Sequence, residues 1–169
     1  MFFSRWTLFQ GAVVLSLLIL SITLDLFKEK ISTLMSSSSV MPMLLTLVLI
    51  TIVISLFSLF MFFQTKKSNT FLLHPIWKKM HIIISFIMVI SIIVFISSFL
   101  LFPLDAVVQN SRWILYIIIY YFLFLMNILV LSLIHKTIKR NTSNEKKIEL
   151  SFVWTIFLLF VIIFLLPSI

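Results

Sequence analysis

The chain has no cysteine, a single glycine, four prolines and only five acidic residues among 169. Without cysteine there is no disulfide framework, thiolate metal site or thiol chemistry, whichever side of a membrane a residue faces. With Gly11 alone, glycine-based phosphate loops and nucleophile elbows cannot be built. Half-broken transporter helices and re-entrant filters, which use glycine to turn the backbone inside a bilayer, are disfavoured for the same reason. Charge is scarce too: 11% of residues are charged and 62% hydrophobic, with mean hydropathy +1.26. A soluble domain carries about a quarter charged residues, so this composition is that of an integral membrane protein with intact, regular spans.

What the chain does have is apolar runs of membrane-crossing length. A hydrocarbon core about 30 Å thick needs roughly 20 apolar residues of helix. Five runs qualify, from about Trp6 to Phe27, Met43 to Phe63, Ile82 to Phe102, Trp113 to Ile134 and Leu150 to Leu166. The first follows Arg5 but lacks a small-x-small cleavage site before Asp25, so it reads as a retained helix rather than a signal peptide. No loop exceeds roughly 20 residues, well short of the about 50 a domain needs. The expected fold is therefore all-α: one polytopic membrane domain over residues 1–169, a bundle of five transmembrane helices with short loops.

The loops carry their own signals. Ser36 to Ser39, followed by Pro42, read as a short linker before the second helix. Pro75 is placed to open the third helix, with Trp77 at headgroup level. Thr142 and Glu145 have capping-box spacing before the fifth, which is therefore expected to start about a turn outside the membrane. Asp25, one turn before Lys28 and Lys30, suits an interfacial ion pair.

Basic residues in short loops stay cytoplasmic. Arg5, Lys66, Lys67, Lys78, Lys79, Lys136, Lys139, Arg140, Lys146 and Lys147 fall on one side of a five-span chain, and Lys28, Lys30 and Arg112 on the other. The expected topology puts the N-terminus in the cytoplasm and the C-terminus outside. The net charge of +8 then serves an anionic inner leaflet, not a nucleic acid, since no compact basic domain presents it. The Lys, Asn, Ile and Phe bias suits an AT-rich bacterial host and its plasma membrane.

Helices in lipid associate through close packing and polar contacts, so small residues at helical spacing indicate seams. Thr51, Ser55 and Ser58 share one face of the second span, and Ala12 with Ser16 makes a small-xxx-small pair on the first. Ser91 and Ser98 add a seven-residue pair on the third, and Asn127 lies near the middle of the fourth, beside Tyr116, Tyr120 and Tyr121. These seams serve the bundle itself, a larger membrane partner or a second copy of the chain.

The bilayer centre holds no Asp, Glu, Lys, Arg or His. Proton-coupled carriers and intramembrane aspartyl or zinc proteases place such groups there to bind the proton, metal or attacking water, so neither class is expected. His74, His81 and His135 all fall on the inner side. Two turns of helix would separate the first two by about 10 Å, too far to share one zinc ion, and no catalytic residue, metal or cofactor is expected. The leading expectation is a non-enzymatic accessory protein, a small subunit or an immunity-type factor acting by helix–helix contact. The alternative is a small transporter or channel component working as an oligomer along Thr51, Ser55, Ser58, Asn127 and the tyrosines. A haem- or lipid-handling enzyme using the histidines ranks third.

Overall fold

The computed structural model describes residues 4–27, 29–31, 33, 41–68, 70–101, 112–138 and 142–165. It is all-helical, with no strand among the described residues. The long helices are α1 (Arg5–Leu26), α2 (Met41–Lys67), α3 (Met80–Leu101), α4 (Arg112–Thr137) and α5 (Asn144–Leu165). Two short 3-10 turns, Phe71–Leu73 and Pro75–Lys78, join α2 to α3. Each helix reaches past the apolar run that nucleates it: α2 continues a turn beyond Phe63 into Gln64, Thr65, Lys66 and Lys67, and α5 begins six residues before Leu150.

Among the described residues, four segments are long and apolar enough to cross a membrane: Arg5–Leu26, Met41–Lys67, Met80–Ser98 and Trp113–Thr137. The fifth expected crossing is not shown in the same way. The first six residues of α5 include Glu145, Lys146, Lys147 and Glu149, so the helix starts as a charged interfacial turn before its apolar stretch.

α1 lies on α2 and α3 on α4, while α5 returns to fill the space between α2 and α4. α2 and α4 are the central helices, and α3 is attached chiefly through α4 and the second 3-10 turn. One core cluster gathers Val53, Ile54 and Phe57 of α2 with Leu123 of α4. A second joins Met61, Ile84, Leu125, Ile128, Leu131 and Ile148 to Leu72 and Trp77 of the α2–α3 connection.

That connection corrects two expectations. Pro75 opens a 3-10 turn, not the third helix, which starts at Met80. Trp77 is 3% exposed and meets Phe71 edge-on with ring centroids 5.2 Å apart, so it plugs the end of the core instead of facing headgroups. Its length suits either place; the turn that Pro75 imposes swings it inward. One further expectation changes. Ser143, not Thr142, caps α5: its Oγ accepts the backbone N–H of Lys146 at 3.4 Å, and the residue three positions on is a lysine, so no reciprocal carboxylate completes a capping box. Of the two lysines expected to pair with Asp25, Lys28 lies outside the described residues, and Lys30 lies over the Phe27 ring, 5.7 Å from its centroid. Lys28, the Ser36–Ser39 linker, Phe102, Lys139, Arg140, Leu166 and the side chain of Arg112 lie outside the described residues.

Candidate functional site

The polar groups of the bundle divide into an inward seam, an outward seam and a basic end. The inward seam is where α2, α4 and α5 meet. Asn127, 1% exposed, donates its side-chain N–H to Ser58 Oγ at 3.1 Å. Facing this level, α5 contributes Ser151 and Thr155, both essentially fully buried. Each returns its hydroxyl to its own helix, Ser151 to the Ile148 carbonyl at 2.8 Å and Thr155 to that of Ser151 at 2.6 Å. Such back-bonding removes the cost of an unpaired hydroxyl and lets the small side chains serve as close-approach surfaces. Thr51 and Ser55 bond back to Leu47 and Thr51 in the same way and are half-buried. Nearer the N-terminus of α1, Gln10 donates to Gln64 Oε1 of α2 at 2.7 Å.

The other small residues named from the sequence divide between an outward seam on α1 and half-buried positions on α3. Ala12 and Ser16 of α1 are exposed, with the Ser16 hydroxyl turned onto the Ala12 carbonyl at 2.9 Å. Neighbouring Gly11 is exposed as well and has no atom within 4 Å of where a Cβ would sit. On α3, Ser98 bonds back to Val94 at 2.8 Å, whereas Ser91 shares a hydrogen bond of 2.7 Å with the Tyr121 hydroxyl of α4. The Tyr120 hydroxyl is buried without a partner.

The third region surrounds the last turn of α4. His81 Nε2 and Lys136 Nζ are 3.1 Å apart. The ring of His135 lies 6.1 Å from that of Trp77, and Lys147, 2% exposed, is near enough to act on it electrostatically. His74 is separate: exposed, it accepts the Ile76 N–H through Nδ1 at 3.3 Å and caps the second 3-10 turn. Among the described residues, no group of three His, Asp or Glu side chains is placed to hold a metal ion. An ion pair between Lys66 and Glu145 ties the end of α2 to the start of α5.

The residues of a polar pathway line different spaces. Ser55 and Ser58 border a cavity of about 430 Å³ between α2 and α5, with Phe62, Phe152 and Glu149. Tyr120 and Tyr121 border another, of about 340 Å³, with Val13, Leu17 and Phe57. Thr51 borders a notch of about 10 Å³.

Ser151, Thr155, Gln10 and Gln64 are buried or bonded parts of these regions that the sequence reading passed over, as it did the burial of Ser132 and of Lys147, which the sequence showed only as one charge of a basic loop. A signal existed for two of the three groups. Ser151 and Thr155 repeat the four-residue spacing of Ala12 and Ser16, and Gln10 and Gln64 lie at matching depths of an antiparallel helix pair. Nothing in the sequence marks Ser132 or Lys147 as buried. No protein-family model, curated protein or solved structure matches this chain.

Proposed function

We propose that this protein is a non-enzymatic accessory component of a bacterial plasma membrane, a small subunit or an immunity-type factor, which acts by helix–helix contact with a larger membrane protein. The observation supporting this is the placement of Gly11, Ala12 and Ser16 on the outside of α1. Small residues let helix backbones approach closely, and here they are not used by the chain's own bundle. In this reading the chain crosses the membrane five times, α5 included, with the N-terminus in the cytoplasm and the basic loops against an anionic inner leaflet.

Two experiments test it. The double variant Ala12→Leu/Ser16→Leu, purified in mild detergent, should remain folded and lose a stoichiometric partner that the wild type retains. Retention of that partner by the folded variant would exclude α1 as the contact. For topology, an enzyme active only in the cytoplasm and fused after Ile169 should be inactive; activity would require an even number of crossings.

A further inference from the structure

At the junction of α3 and α4 the structure has a fixed cation. Lys136 stands in the last turn of α4, exposed, with its ammonium 3.1 Å from His81 Nε2 in the first turn of α3. An ammonium can only donate, so the imidazole nitrogen accepts and the ring's proton sits on Nδ1. That Nδ1–H is buried without an acceptor among the described residues, and Nε2 is the ring's one acceptor, given to Lys136. A lysine normally gives up considerable rotamer freedom when it binds something. Here much of that loss has already been taken by the contact with His81, and two ammonium N–H groups are left pointing away from the ring.

The surroundings add charge of one sign. Lys78 and Lys79, both exposed, occupy the end of the 3-10 turn that leads into α3. The carboxylates at this end of the bundle belong to α5 and are used elsewhere: Glu145 pairs with Lys66 and Glu149 borders the α2–α5 cavity. The Lys136 donor, with two more lysines two and three residues before His81 in the chain, suits a phosphate oxyanion, which accepts several charge-assisted hydrogen bonds at once.

We propose that Lys136, held by His81, forms with Lys78 and Lys79, which precede His81 in the chain, a binding site for a phosphate group, either that of an anionic lipid headgroup or free phosphate. Lys136 touches the ligand; His81 is a positioning residue. The site is independent of the proposed partner contact, which uses α1.

The test is native mass spectrometry of the full chain in detergent, titrated in separate arms with phosphatidylglycerol and inorganic phosphate. The wild type should hold one molecule from at least one arm, and the arm that does so identifies the source. Lys136→Gln should weaken that binding about tenfold, the scale of one charge-assisted contact. His81→Leu should weaken it similarly, and His81→Gln, whose amide oxygen can again accept from Lys136, should restore much of it. Lys67→Gln, an exposed lysine at the end of α2, should leave it within about twofold. No binding in either arm, an equal loss with Lys67→Gln, or no loss with Lys136→Gln would overturn the site; failure of His81→Gln to outperform His81→Leu would remove the positioning role.

Discussion

Two stripes of small and hydroxylic residues at the same four-residue spacing end up in opposite environments. Ser151 and Thr155 of α5 are sealed against α2 and α4, whereas Ala12 and Ser16 of α1 face outward. In both stripes a hydroxyl satisfies itself on its own helix, so local hydrogen bonding does not distinguish them. The difference comes from where the rest of the helix is held. α5 is gripped on two sides by the central helices, and α1 on one side by α2, with a lesser contact to α4. A small-residue stripe therefore indicates that a close approach is possible, and only the packing of the whole helix shows whether the chain itself makes it.

The comparison can be broken most easily at the inward seam. Thr155→Leu forces a larger side chain into a fully buried site and is expected to cost about 1–3 kcal/mol, read as a lowered unfolding temperature in detergent. Asn127→Leu removes the bond to Ser58 and should cost about 0.6–1.7 kcal/mol, the range of interhelical hydrogen bonds in membranes. Neutralising Glu145 with Glu145→Gln cuts the link to Lys66, whose partners are 38% and 47% exposed; the cost should be at most about 1 kcal/mol and should shrink with added salt. Ala12→Leu, on the outward stripe, should change the stability of the isolated chain by no more than about 0.5 kcal/mol. If Ala12→Leu destabilises the isolated chain as much as Thr155→Leu does, the two stripes are equivalent and the distinction fails.

Helix positions were legible because length and apolarity are direct demands of the bilayer. The early start of α5 was legible too, from the capping signal around Thr142 and Glu145; the end of α2 was not, since a polar residue such as Gln64 can extend a helix beyond the hydrocarbon when a tertiary contact holds it, as the Gln10 bond does here. Helix faces were the least legible. In a soluble protein apolar periodicity shows the buried side, but lipid covers the outside of this bundle with the same residue types that fill its core. Ser55, mid-stripe on the second span and therefore a natural site to reject a bulky group, instead borders a cavity of about 430 Å³. The inward turn of Trp77 depends on the Pro75 geometry and on Phe71, a combination that no single residue signals.

The central claim, that the outward stripe of α1 meets another protein, is tested most directly by a photoreactive amino acid placed at Ser16 in living cells, with Thr155 as the buried control. The account predicts a discrete, higher-mass protein adduct from position 16 and only intrachain products from position 155. Lipid adducts alone at position 16, under conditions where position 155 still crosslinks within the chain, would contradict it.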